Sequence, residues 1–145
     1  MIAFPNKKYN IIYADPPWQF NSRIHQENRG FTHSLEDHYD TMKGKEIKDL
    51  PVQDIADDDC ILFMWVVDSH LKEGIEVIES WGFTYRTIGF TWVKEYPNTF
   101  PPQICFNFSP YLLKSTEICL IGMKGKLKNI KAVSYTHLTL PTSFL

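Results

Sequence analysis

The residues best placed to do chemistry are Asp15, Pro16, Pro17 and Trp18. They follow the apolar run Ile11-Ile12-Tyr13-Ala14, whose length and β-branched character suit a buried strand. Pro16 and Pro17 remove two backbone donors and fix φ, so the strand stops there. Asp15, preceding a proline, is held extended. A carboxylate, a stiff elbow and an indole thus stand at the carboxyl end of a strand, where open α/β sheets bind ligands. This grouping suits an exocyclic amine. Asp15 can accept one N–H and the Pro16 carbonyl the other, while Trp18 can stack on a flat ring, an interaction worth about 1–3 kcal/mol. An aromatic amine is a poor nucleophile because its lone pair is delocalised. Two acceptors holding both hydrogens favour a pyramidal nitrogen and free that lone pair for in-line attack on a methyl donor, through positioning and transition-state electrostatics. No nucleophilic Ser or Cys and no metal is required. Taken alone, D-P-P-W also fits a plain proline-rich strand exit.

The elements around the elbow are legible in outline. Asn21 to Asp40 is a long polar stretch holding Arg23, Arg29, His25, His33 and His38, a natural lid or substrate loop. Its histidines, with Glu36 and Asp37, match no standard metal-ligand spacing, so solvated histidines are expected and no metal. Thr41 can cap a short helix over Lys43–Leu50, ended by Pro51. Asp57-Asp58-Asp59 reads as a solvated turn, and Cys60–Val67, the most apolar run, as a central parallel strand. Asp68 or Ser69 caps a helix over Leu71–Trp81 with Leu71, Ile75, Ile78 and Trp81 on one face, and Gly82 suits a left-handed cap. Phe83–Lys94 and Thr116–Met123 read as strands. Between them, Glu95 to Pro110 carries four prolines with Phe100, Phe106 and Phe108. It can stack on bases or equally fold back on itself. Lys124, Lys126, Lys128 and Lys131 form the clear basic cluster, open to phosphates or simply solvated.

At 145 residues one domain with one core is expected. Apolar and charged fractions of 43% and 22% are those of a globular protein. No apolar run reaches membrane-span length, and the first residues lack the pattern of a signal peptide. Cys60, Cys105 and Cys119 show no paired spacing, which suits reduced thiols in a cytoplasmic protein. A net charge of −2 exerts no global pull on nucleic acid, so any such contact needs a local patch. There is no G-x-G-x-x-G and no P-loop.

Taken in order, Y-A-D-P-P-W, H-Y-D-T-M (His38–Met42), W-V-V (Trp65–Val67), W-G-F (Trp81–Phe83), W-V-K (Trp92–Lys94) and T-E-I-C-L-I-G-M-K-G (Thr116–Gly125) resemble the MT-A70-like family of adenine-N6 methyltransferases. The resemblance extends to about Lys131. It implies an α/β, Rossmann-like methyltransferase sheet with helices on both faces. It implies S-adenosyl-L-methionine as methyl donor and the N6 of adenine in nucleic acid as acceptor. DNA is favoured over RNA because the compact chain shows no added RNA-binding domain, and a duplex target must be flipped out. The rival readings are an RNA adenine-N6 methyltransferase and a catalytically silent nucleic-acid-binding subunit. By the same resemblance Asp15, Pro16, Pro17 and Trp18 form the catalytic motif, with Asp15 also at the cofactor and Trp18 shaping the base pocket. Lys124 lies close to the methyl donor. Tyr39 lies near the adenine or the cofactor, with packing of the loop onto the core as the alternative. Family members continue with a basic H-S-x-K-P segment, a helix, a strand ending in arginine and a G-N pair. Here residues 132–145 carry no formal charge and resemble none of this. The expectation is a partial domain over 1–131, a non-native tail, and strands such as Ile61–Val67 lacking a neighbour or a covering helix. The cofactor site would lack one wall, leaving this chain inactive.

Overall fold

The computed structural model describes residues 4–19, 42–106 and 112–129. Its frame is a mixed sheet of four strands: β1 (Tyr9–Ala14), β2 (Ala56–Val66), β3 (Thr84–Val93) and β4 (Thr116–Lys124), in the spatial order β1-β2-β4-β3. β1 and β2 are parallel, and β4 runs antiparallel to both β2 and β3. The carboxyl ends of β1, β2 and β3 therefore lie at one end of the sheet. Tyr39, the histidine-bearing loop, Thr41, Phe108, Pro110 and the tail 132–145 lie outside the described residues.

β2 shows how the sequence builds the core. Cys60, Leu62, Met64 and Val66 are all but fully buried, while Ile61, Phe63 and Trp65 between them are half-buried. This is the period of two that puts alternate side chains on opposite faces. The buried set meets α2 (Leu71–Ser80) through Val77 and Ile78, and each such apolar side chain contributes about 1.5–3 kcal/mol on burial. Gly74 sits where α2 crosses the sheet most closely: a Cβ there would lie 2.8 Å from Val66 Cγ2. α2 ends in a Schellman arrangement. Gly82 has φ 82°, Phe83 N–H donates to the Ile78 carbonyl at 3.1 Å, and Gly82 N–H donates to Glu79 at 3.0 Å. The short α1 (Gly44–Lys48) docks on α2. Trp81 Nε1 donates to the Ile47 carbonyl at 2.9 Å, and Lys48 pairs with Glu76 at 2.6 Å.

Several expectations need correction. β2 begins at Ala56, which pairs with Tyr9 of β1, so Asp57–Asp59 are strand residues and not a turn, lying where the β1–β2 register shifts. β2 is interior as expected, but parallel only to β1. Its other neighbour, β4, comes late in sequence and inserts antiparallel. Thus Ile61–Val66 do not lack a neighbour; among the described residues the outer strands are β1 and β3. Helix α1 is capped by its own box, Lys43 N–H donating to Glu46 Oε2 at 2.8 Å, and α2 is preceded by a 3-10 turn over Asp68–His70 with no side-chain cap. Leu71 is exposed, and the packed face of α2 is Gly74, Val77, Ile78 and the following Trp81.

The described helices lie against one face of the sheet. The other face presents Ile11 and Tyr13 from β1, Ile61, Phe63 and Trp65 from β2, and Phe90 and Trp92 from β3. Phe63 stacks on Phe90 at 5.8 Å and Trp65 meets Trp92 edge-on at 6.3 Å. The stretch after β3 folds back on itself as a hairpin. Cys105 N–H donates to Lys94 and Tyr96 N–H to Gln103, each at 2.8 Å, and the turn is tied by Thr99 Oγ1, which donates to Tyr96 and accepts from Gln103 N–H. Phe100 stands 99% exposed at its tip.

Candidate active site

The elbow forms because prolines end β1 and the following residues are tied down locally. Trp18 N–H donates to the Pro16 carbonyl at 2.8 Å, and Met42 N–H donates to the Pro17 carbonyl at 2.8 Å. The Trp18 ring, only 6% exposed, is a member of the core; its Nε1 donates to the Trp65 carbonyl at 3.0 Å and its ring lies 5.7 Å from that of His70. His70 Nε2 in turn is 3.1 Å from the Gln19 carbonyl. A cavity of about 290 Å³ beside the elbow is lined by Trp18, Gln19, Lys43, Gly44, His70 and Glu73.

Asp15 leaves β1 on the face of Ile11 and Tyr13, two residues beyond a tyrosine that pairs with Phe63. It is solvent-accessible, yet partial burial raises its pKa above 3.8, and the charge of Glu117 on β4 raises it further. Glu117 is itself bonded to Lys94, whose ammonium also lies 5.3 Å over the Trp92 ring. Cys119, fully buried on β4, has its thiol pushed up to about 11, chiefly by burial, with Asp15 adding to the effect, so it is no nucleophile at neutral pH. Trp65 Nε1 donates to the Tyr13 hydroxyl. The carboxylate therefore stands at a strand end on the sheet face that carries Tyr13, Trp65 and, on the opposite outer strand, Trp92. It can accept hydrogen bonds from a flat, amine-bearing ring.

The structure brings together only part of the expected site. Asp15, Pro16 and Pro17 make the elbow. The Pro16 carbonyl already accepts from Trp18 N–H, and Pro16 is buried. Trp18 packs in the core and anchors the elbow, and it also lines the cavity beside it. Lys124 is not near Asp15. It pairs with Cys60 at the opposite end of β2 and donates from Nζ to the Ala56 carbonyl at 3.3 Å, five residues, or roughly 16 Å, along the strands from the level of Asp15. The antiparallel run of β4 carries it away. Glu117, Lys94 and Trp92 take its place beside the elbow. All three lie in the motif segments W-V-K and T-E-I-C-L-I-G-M-K-G; what the sequence lacks is the strand pairing that puts them at one end of the sheet.

A mixed α/β sheet with an Asp-Pro-Pro elbow at a strand's carboxyl end defines a Rossmann-like methyltransferase fragment. The chain belongs to the MT-A70 family, whose model matches residues 9–145, through the segment where the motif resemblance fades. It is 40% identical over 151 residues to the type II methyltransferase M.MunI of Mycoplasma sp, covering 92% of this chain and 61% of that protein. It is 30% identical to the N6-adenosine-methyltransferase non-catalytic subunit MTB of Arabidopsis thaliana (95% and 17% covered) and 30% identical to the N6-adenosine-methyltransferase catalytic subunit METTL3 of Homo sapiens (81% and 18%). The chain thus spans less than two thirds of each of these relatives.

Proposed function

We propose that this chain carries the methyl-accepting half of an S-adenosyl-L-methionine-dependent adenine-N6 methyltransferase site acting on nucleic acid. The observation that supports it most directly is the Asp15 carboxylate, set at the end of β1 on an elbow pinned through Trp18 and Met42, in a family of this activity. Asp15 accepts one N–H of the adenine amine and the Pro16 carbonyl the other. Tyr13 and Trp92, each about half exposed, offer the aromatic faces on which a base can stack. S-adenosyl-L-methionine supplies an electrophilic methyl on a sulfonium centre. The described residues offer it the Asp15 carboxylate; Lys124, the other residue that the resemblance puts at the donor, stands at the opposite end of β2.

DNA is favoured as substrate because the chain is 40% identical to a type II methyltransferase, against 30% to 32% for the N6-adenosine-methyltransferase relatives. The hairpin tipped by Phe100 projects from the same end of the sheet as the elbow and is the natural nucleic-acid contact. The RNA reading rests on the adenosine relatives, and the silent-subunit reading on the plant non-catalytic subunit. The intact Asp15-Pro16-Pro17-Trp18 argues against silence. A cytoplasmic location fits the three free thiols; among the described residues no helix is long and apolar enough to cross a membrane.

In a version extended to the length of M.MunI, Asp15→Ala should cost several orders of magnitude in methyl transfer to an adenine-containing DNA oligonucleotide, with a smaller loss in cofactor binding. Activity within a few-fold of the parent would end this reading. Equal or better transfer to RNA by the parent would shift the substrate.

A further inference from the structure

The elbow is stiff within itself, so its aim depends on what holds its far side. Pro16 and Pro17 fix two φ angles, and a swing of the residues after them carries Asp15 along. Those residues are received at the carboxyl end of β2. Trp18 Nε1 donates to the Trp65 carbonyl, and the next tie comes from His70. His70 closes the 3-10 turn that leaves β2, its own N–H donating to the Val67 carbonyl at 2.8 Å. Its side chain is only 17% exposed, lies 5.7 Å from the Trp18 ring and puts Nε2 3.1 Å from the Gln19 carbonyl oxygen. A carbonyl oxygen only accepts, so Nε2 carries the proton. Nδ1, 3.0 Å from Ser69 Oγ, then accepts from that hydroxyl, and in the neutral ring both nitrogens are engaged. Glu73, 3.9 Å from Nε2, is beyond hydrogen-bond length; its carboxylate lies over Gly44, where it leaves no room for a Cβ.

We propose that His70 is a positioning residue for the elbow: its Nε2–H holds the Gln19 carbonyl, ties the exit of β1 to the exit of β2, and so fixes where the Asp15 carboxylate meets the amine. The ladder between these parallel strands ends at Ala14 and Met64. Past that pair, the elbow is joined to the exit of β2 by the Trp18–Trp65 and His70–Gln19 bonds. The Pro17 carbonyl is held from another side, by Met42 N–H. Without Nε2–H, the Gln19 carbonyl loses that donor and the elbow hangs from the β2 side by its indole. Its carboxylate then spreads over more positions, and a displacement of about 1 Å at a reacting group can cost about a hundredfold in rate. His70 lies outside every motif that carries the family resemblance. The catalytic meaning of the bond rests on the methyl-transfer reading, but the tie itself does not.

The test compares His70→Gln, whose amide N–H reaches the same carbonyl, with His70→Met, which has the same reach and no donor. In the 145-residue chain, hydrogen exchange read by NMR reports on the elbow's own bonds: the Trp18 backbone and indole N–H and the Met42 N–H. In His70→Met these should exchange about tenfold faster. The Trp81 indole N–H, bonded to the Ile47 carbonyl in the core, should keep its parent rate. His70→Gln should keep parent rates throughout. Unchanged elbow rates in His70→Met, equal rates in the two variants, or a rise shared with Trp81 overturns the proposal. In a version extended to the length of M.MunI, His70→Met should lower kcat about tenfold or more with KM nearly unchanged, and His70→Gln should recover most of it. An unchanged kcat, or a loss in KM alone, overturns the proposal. Should His70→Met fail to fold, the nitrogen NMR spectrum of the parent's imidazole carries the test, at a pH well above the ordinary histidine range. The Nε2–H tautomer is required there, and the Nδ1–H tautomer overturns the proposal. Exchange as stated, with no methyl transfer by the extended parent, would keep the tie and remove the methyl-transfer reading instead.

Discussion

Asp15 is an ionisable group in a place that resists ionisation. Its folded-state pKa lies above 3.8, so its protonated form stabilises the fold at low pH, and that contribution is lost as pH rises through the folded pKa. At neutral pH the ionised side chain costs stability. Asp15→Asn should therefore raise the thermal midpoint at neutral pH, and the gain should disappear once pH falls below the ordinary carboxylate range. A lower midpoint for the Asn form at neutral pH would show that the carboxylate is stabilising instead. Trp18 belongs to the same scale. Its ring is in the core and its N–H is taken by Trp65, so Trp18→Ala removes both packing and a bond. A loss of about 3–5 kcal/mol is expected in denaturant unfolding, with little change in oligonucleotide affinity per folded molecule. A full-strength fold with lost affinity would return Trp18 to the base pocket.

At the scale of elements, the site depends on how α2 seats against β2 and β4. Val66 and Leu120 leave room only for the backbone of Gly74, and the two Val66 methyls would lie 2.8 and 3.1 Å from an added Cβ. Alanine would raise helix propensity by up to about 1 kcal/mol, but overpacking a filled core costs about 1–3 kcal/mol. Since both methyls press on the same point, rotating Val66 does not relieve the contact. Gly74→Ala should destabilise the native chain, and the same change in a Val66→Ala background should stabilise it. The two effects, measured by denaturant unfolding as a double-mutant cycle, must differ in sign. Additive values would mean that α2 simply moves outward.

For the whole molecule, the uncovered sheet face matters most. Ile11, Tyr13, Phe90 and Trp92 are each 43–59% exposed, a contiguous apolar surface of the kind that invites association. Of the residues expected at the methyl donor, the described structure brings Asp15 to the elbow and leaves Lys124 at the far end. We expect the 145-residue chain to bind S-adenosyl-L-methionine more weakly than micromolar, about −8 kcal/mol, and to be inactive as it stands. Calorimetric titration reads this directly. Micromolar binding or tighter would mean that the donor site is built from residues within this chain after all.

What the sequence determined by itself is local. Two prolines end a strand wherever that strand lies, Gly82 takes a left-handed φ because a helix must stop there, and the two-residue alternation of β2 sets its buried face. The motif order also identified the family. The tertiary structure alone decided which strand lies beside which. β4, last in sequence among the described strands, enters between β2 and β3, and its antiparallel direction sends Lys124 away from the elbow while bringing Glu117 to it. It also decided that the indole after the prolines turns inward, because the Trp65 carbonyl and the core were there to receive it. Periodicity tells a residue's face but not its partner; partners follow from register between segments distant in sequence, and in this chain they set the charge around the candidate catalytic carboxylate.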